Sequence, residues 1–421
     1  MQSVLKEIRL MQPGKPLEGI RVLEVAQWWF VPSAGAILAD WGADVIKIEH
    51  PETGDPQRGL VTSGLVPEGG FNFMWEQPNR GKKSVGLDLR NPDGLALLYK
   101  LAERSDVFLT SFLPEARQNL KIDVEHIRAI NPDIIFARGT GQGVRGPDAE
   151  RGGYDGASYW ARGGIAMALT GAGNEEEPPI MQRPAFGDSI GGMTVAGGIS
   201  AALFQRERTG KPSVVDISLL GTAMWNISAD ITMAKALAAI GLDKGMPKMG
   251  RLSSPNPIVN AYRTSDMRWI MLIMLQSDRN WPDLCRHLDR EDLIEDPRFA
   301  NSALRAENKA ECVSTLDEIF GSRTLEEWKR ALATTDGVWA PIQTPNELYQ
   351  DAQVEANGYL PEVELASGEN CQLVNNPVQF DESPAELNHA PEHGADTDAV
   401  LSELGLDYDE ILAHKASGAI L

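Results

Sequence analysis

Asp188 stands in "RPAFGDSIGGMTVAGGISAALFQRERTGK", between Gly187 and a run of small residues with helical period. An aspartate just before an apolar helical run has two readings. It can cap the helix by accepting backbone N–H bonds. It can also act as a carboxylate nucleophile, held ionised by the positive end of the helix. Gly187 would let a ligand approach the backbone, and Gly191 and Gly192 weaken a helix for no packing reason visible in the sequence. A second chemical candidate is the basic group Arg80, Lys82, Lys83 and Arg90 in "NRGKKSVGLDLRNPDG". Arg90 falls where a strand feeds a helix N-terminus, which suits phosphate; the competing reading is a solvated edge strand whose lysines deter pairing. The aromatic group Trp28, Trp29, Tyr159 and Trp160 divides between an acyl pocket for a bulky acid and ordinary core packing.

Other chemistries find little support. Gly141, Gly143 and Gly146 form a G-x-G-x-x-G after a strand, but Pro147, Asp148 and further glycines follow where a dinucleotide site needs a helix. There is no phosphate-binding G-x-x-x-x-G-K-[ST] and no G-x-S-x-G elbow. The six histidines make no H-E-x-x-H pair, and the three cysteines are widely spaced with no C-x-x-C, which argues against zinc and against a disulfide framework.

These residues need a scaffold, and the first half supplies its pattern. "IRVLEVA", "ADVIKIE", "KKSVGLDL", "DVFLTSF", "PDIIFARG" and "SVVDISLL" read as strands. Helical segments such as "VPSAGAILADWG" and "NPDGLALLYKLAERS" separate them. Alternation of this kind predicts an α/β fold with a Rossmann-like parallel sheet. The expected division is a large domain over 1–225, a linker over 226–255, a small α+β domain over 256–340, and a C-terminal segment, 341–421, returning to the large domain. In the small domain a hairpin turns at Ser265–Asp266, with helices over Asp278–Leu288, Ala303–Phe320 and Leu325–Ala333. The final segment has a strand-like "CQLVNNPVQF" and one amphipathic helix around Val400–Leu412.

With 421 residues, a net charge of −21 and 42% hydrophobic residues, the chain has the composition of a soluble globular protein of two domains. The acidic balance disfavours nucleic acid and anionic membranes as partners. No apolar run approaches the length of a bilayer span, and the first residues lack the apolar core of a secretion signal, so the expected compartment is the reducing cytoplasm.

Taken in order, "PLEGIRVLEVA", "ILADWGADVIKIEHPETGD", "NRGKKSVGLDLRNPDG", "SFLPEA", "NPDIIFARGTGQG", "GDSIGGMTVAGGISAALFQRERTGK" and "TDAVLSELGL" resemble the family III CoA-transferases. That group includes formyl-CoA transferase, crotonobetainyl-CoA transferase and, more distantly, the alpha-methylacyl-CoA racemases. The resemblance implies a homodimer of interlocked rings, with no permanently bound cofactor and coenzyme A esters as substrates. Its partners would be an acyl-CoA donor and a carboxylic acid acceptor. It implies that Asp188 is the nucleophile, working through mixed-anhydride and aspartyl-CoA thioester intermediates. CoA contacts would fall at Trp29 and Phe30, His50, Leu87, Asp88, Leu89 and Arg90, Ser111, Phe112 and Leu113, Asn119, and Thr140, Gly141, Gln142 and Gly143. Several positions depart from the formyl-CoA transferases: Trp29 replaces glutamine, His50 and Asn119 replace arginine, and Thr140 replaces lysine, which leaves Arg90 as the main expected cation. Tyr154 stands where the racemases have an acid/base histidine, which favours transfer over racemisation. The alternatives are a CoA-ester isomerase or racemase of the same family, and a CoA-ester binding protein without catalysis in which Asp188 only caps its helix.

Overall fold

A computed structural model describes residues 14–61, 63–64, 70–170, 179–241 and 250–421. Most of the stretch read for a secretion signal, and residues 242–249 of the expected linker, lie outside the described residues. The chain divides into two compact units: one comprises the described residues of 1–170, 177–243 and 353–421, the other those of 244–352.

The larger unit is built on six parallel strands: β1 (Arg21–Val25), β2 (Asp44–Glu49), β3 (Lys83–Gly86), β4 (Val107–Thr110), β5 (Ile135–Thr140) and β6 (Val214–Ser218), in the order β3-β2-β1-β4-β5-β6. This doubly wound order reverses direction between β1 and β4, where a crevice opens beyond the strand ends. Neighbouring residues of a strand face opposite sides, so Val22 and Leu23 are both fully buried but in different cores. On Val22's side lie helices α1 (Phe30–Asp40) and α5 (Phe186–Thr209). On Leu23's side lie α2 (Pro92–Glu103), α4 (Val124–Ile130) and the C-terminal helices α10 (Thr397–Glu403) and α11 (Tyr408–Ala416). Between α2 and α4, the short helix α3 (Pro114–Asn119) follows β4, with Pro114 in its first turn.

The expected single end helix is two. Gly405, at φ +96, ends the first, and Asp407 starts the second in a capping box with Glu410. Of "CQLVNNPVQF" only Cys371 and Gln372 join a strand, Asn370–Gln372, antiparallel to Glu362–Glu364, because Pro377 lacks an N–H and Asn375 and Asn376 turn their side chains to backbone and buried partners instead. Residues 394–421 close the outer edge of β3. The Ser84 N–H donates to Asp396 at 2.8 Å, the Gly86 N–H to the Thr397 hydroxyl at 3.0 Å, and the Leu421 N–H to the Gly86 carbonyl at 3.2 Å.

The smaller unit contains the expected hairpin, β7 (Val259–Arg263) with β8 (Trp269–Ile273), joined on its far side by β9 (Trp339–Pro341). Helices α7 (Ser277–His287), α8 (Lys309–Phe320) and α9 (Leu325–Ala331) pack on it through Trp281, Leu284, Phe320 and Trp328. The helix expected over Ala303–Phe320 breaks at Asn308, whose amide nitrogen donates to Arg298 and Leu304 carbonyls.

Candidate functional site

The crevice between β1 and β4 is set by the turns that leave them. After β1 the Gln27 N–H donates to the Ser111 hydroxyl at 3.0 Å, and the Trp28 N–H to the Asp55 carboxylate at 3.1 Å. Trp28 is held at φ 71, in the left-handed region. Asp55 is in turn paired with the fully buried Lys47 at 2.8 Å, and Lys47 also reaches Glu24 and the Ala26 carbonyl. Lys82 completes this group, 2.9 Å from Glu24 and within hydrogen-bond reach of Asn79 and the Pro32 carbonyl. Burial pushes the Lys47 ammonium down, but Asp55, Glu24 and Glu49 outweigh it, so its pKa is raised and the pair stays ionised. The network fixes the turn in which Trp28 sits.

The N-terminus of α5 answers whether Asp188 caps its helix. The cap is Asp155: both its oxygens lie 3.1 Å from the Gly187 N–H. Gly187 is required for this closeness, because a Cβ there would enter the Tyr159 ring and reach the Asp155 carboxylate. Asp188, one residue further on, is half-buried and lines a cavity of about 610 Å³. No hydrogen bond from the described residues supports its carboxylate; burial and the neighbouring negative charge of Asp155 push its pKa up to about 8. Burial likewise raises Asp155, against the Gly187 N–H that lowers it. Gly191 and Gly192 have a packing reason after all. A Cβ on Gly191 would meet the Phe30 ring and one on Gly192 the Ser33 side chain, so these glycines let α5 lie close on α1.

Phe30, Arg90, Ser111, Phe112, Leu113, Thr140 and Gly141 share the Asp188 cavity. His50, Leu87, Asp88, Leu89 and Asn119 line a second one of about 780 Å³, and Arg90 and Phe112 belong to both walls. Three expected contacts lie off these walls. The Trp29 indole N–H donates to Ser189 at 3.1 Å, Gln142 donates to Ser158 at 2.8 Å, and the Gly143 N–H donates to Thr140 at 3.0 Å. Gln27, Ala116, Leu120, Gly152, Gly153 and Tyr154 line the walls without having been picked out as contacts. Nothing periodic marks them: Ala116 sits on the short helix α3, and the others on turns and on a loop far from Asp188 in the chain.

The basic group divides differently from either expectation. Arg80 is buried against Asp40 at 2.8 Å and Lys82 against Glu24, while Lys83 pairs with Asp44 at 2.9 Å. Only Arg90, exposed and in no ion pair among the described residues, faces the cavities. The aromatic group also splits: Tyr159 is fully buried core, its hydroxyl accepting from Asn226 at 2.9 Å, and Trp160 packs against that core. Among the described residues no cluster of histidine, cysteine or acidic side chains suits a metal ion, and no helix is long and apolar enough to cross a membrane.

The family model for CoA-transferase family III matches residues 17–397. The chain belongs to that family. As a family III CoA-transferase it acts on acyl-CoA and carboxylate substrates. It is 32% identical over 406 residues, 96% of this chain and 99% of the relative, to (R)-2-hydroxy-4-methylpentanoate CoA-transferase of Clostridioides difficile. It is 32% identical to cinnamoyl-CoA:phenyllactate CoA-transferase of Clostridium sporogenes, over 93% of this chain and 94% of the relative. Identity is 31% to succinate–glutarate CoA-transferase of Agrobacterium fabrum, covering 92% and 96%. The fold matches the crystal structure of a CAIB/BAIF family protein from Brucella suis with a TM-score of 0.77 at 29% identity, covering 93% of this chain and all of the other. It also matches Rv3272 from Mycobacterium tuberculosis at 0.75 and 27% identity, covering 92% and 99%.

Proposed function

We propose that Asp188 carries the CoA group between two carboxylic acids. The observation behind this is a carboxylate on a cavity wall at a helix N-terminus, relieved of capping by Asp155 and with no hydrogen bond among the described residues. An Asp188 oxygen attacks the thioester carbonyl of the donor; the C–S bond breaks, leaving a mixed anhydride and the CoA thiolate. The thiolate attacks the aspartyl carbonyl, expelling the donor acid as carboxylate and forming aspartyl-CoA thioester. The acceptor carboxylate then attacks that thioester, giving a second anhydride and thiolate. Attack of the thiolate on the acceptor carbonyl forms the new thioester and frees Asp188. Retaining the thiolate between steps keeps its effective concentration high. Gly152 and Gly153 line the same cavity, and their N–H groups meet no acceptor among the described residues, which suits them to the negative oxygens that develop.

In this reading the adjoining cavity takes the nucleotide end of CoA, with Arg90 as its cation and His50, Leu87, Asp88, Leu89 and Asn119 beside it. The large unit is then the CoA-binding domain of a cytoplasmic homodimer. An uncovered apolar surface supports association: Trp225 is 80% exposed, Met224 is exposed beside it, and the helix Ser228–Ala238 has no buried residue.

Intact-protein mass spectrometry after incubation with acyl-CoAs, with hydroxylamine trapping and peptide mapping, tests the chemistry. Wild type should gain a CoA-sized or acyl adduct on the peptide containing Asp188, and Asp188→Asn should gain none. Adduct-free wild type that still turns over would remove Asp188 from the pathway.

A further inference from the structure

The names of the relatives span branched, aromatic and dicarboxylic acids and so do not choose a donor for this chain. The wall around Asp188 does. Its charged side chains are Asp188 itself and Arg90, and Arg90 stands on the wall shared with the adjoining cavity. The rest of the wall has three uncharged polar side chains, Gln27, Ser111 and Thr140, and is otherwise glycine or apolar and aromatic, with Trp28, Phe30, Leu113, Tyr154 and Leu219.

Two of these residues have no part in holding the fold together. Trp28 belongs to none of the hydrophobic clusters, unlike Phe30 two residues on, and Tyr154 is 65% exposed. They meet edge to face, ring centroids 5.5 Å apart at 87°. The Tyr154 hydroxyl has no partner among the described residues. Trp28 occupies its place with a left-handed backbone, a conformation that a bulky residue keeps only where its surroundings over-determine it. Here the bonds to Asp55 and Ser111 do so. Strain maintained for a half-exposed indole that packs on no core marks the direction of that indole as the useful quantity.

We propose that Trp28 and Tyr154 form the acyl-selecting wall of the site, favouring uncharged acyl groups that end in an aromatic ring or branched hydrocarbon and disfavouring dicarboxylic ones. A flat or branched apolar end gains contact with two aromatic faces. A second carboxylate would lose hydration in a wall that already holds the Asp188 carboxylate, and the wall's one cation, Arg90, stands on the side shared with the adjoining cavity. The assignment rests on Asp188 as the site of thioester attack, since that places the acyl chain in this cavity.

Binding of 3-phenylpropionyl-CoA, succinyl-CoA and free CoA, measured by calorimetry alongside adduct formation, separates the two readings. Wild type should bind the phenylpropionyl ester more tightly than the succinyl ester by about 10- to 100-fold. Trp28→Ala and Tyr154→Ala should each abolish most of that preference while leaving free CoA unchanged; Tyr154 is exposed enough that its variant keeps the fold. Asp188→Asn should lose the adduct and keep the preference. Equal or tighter binding of succinyl-CoA, or a preference that survives both aromatic variants, overturns the proposal; loss of succinyl-CoA binding in Arg90→Ala with free CoA and the phenylpropionyl ester still bound as in wild type would show that Arg90 holds a second carboxylate and would overturn it too. A preserved preference with no wild-type adduct would count against the nucleophile and leave the wall standing.

Discussion

Two aspartates meet at the start of α5, Asp155 as its cap and Asp188 as the proposed nucleophile, and their charges are coupled. Asp188 is raised to about 8 by burial and by Asp155, so roughly a tenth of it is ionised at neutral pH. An acid of raised pKa becomes a nucleophile as pH rises, so single-turnover acylation should increase through about pH 8. Asp155→Asn keeps a capping oxygen and removes the like charge, which lowers the Asp188 pKa; the rising limb of the rate profile should move to lower pH. Stability runs the other way. Protonated Asp188 is tolerated and ionised Asp188 is not, so the contribution is fully present below about pH 4 and is lost as pH rises through about 8. Melting of Asp188→Asn should therefore fall less between pH 6 and 9 than that of wild type. At this scale the sequence carried the aspartate and its ambiguity, but not the answer. Gly187 and Asp155 lie thirty-two positions apart, and nothing in their spacing announces a shared hydrogen bond.

The contact of α1 with α5 shows what an element contributes. Both helices are rich in small residues, and the approach is set by Gly191 and Gly192 against Phe30 and Ser33. Gly192→Ala places a methyl on the Ser33 hydroxyl and 3.0–3.1 Å from the Ser33 Cβ and the Ala34 nitrogen. Denaturant unfolding should show a loss of about 1–3 kcal/mol, only partly recovered by adding Ser33→Ala, because the backbone contact remains. Strands and helices of this sheet were legible because a parallel strand buried on both faces is a continuous apolar run. The glycines were misread as functional for the converse reason: their neighbour is another helix, more than 150 positions away, and no local pattern reports it. The breaks at Asn308 and Gly405 were missed because apolar periodicity continues across both.

For the whole molecule, the sheet is held by charges as well as by its apolar faces. Glu24, Lys47, Asp55 and Lys82 are buried where three strands and two turns meet. Lys47→Met should cost about 3–5 kcal/mol, since it strands Asp55 in the interior without a cation and leaves Glu24 with Lys82 alone. Lys83→Ala, which breaks the part-exposed pairs with Asp44 and Glu403, should cost under about 1 kcal/mol in the same urea titration. Composition gave the size and the absence of a basic footprint; it gave no hint that half of the basic cluster is interior. The cover over β3 has a consequence for how the protein is made. The edge of that strand leaves the ribosome near residue 86, and the residues that seal it begin at 394, after the whole of the smaller unit has been synthesised. At ordinary translation speeds the nascent sheet travels with one side unsealed for roughly 15–60 s. For that interval an open strand of four residues is an unpaired edge that a chaperone would have to shield.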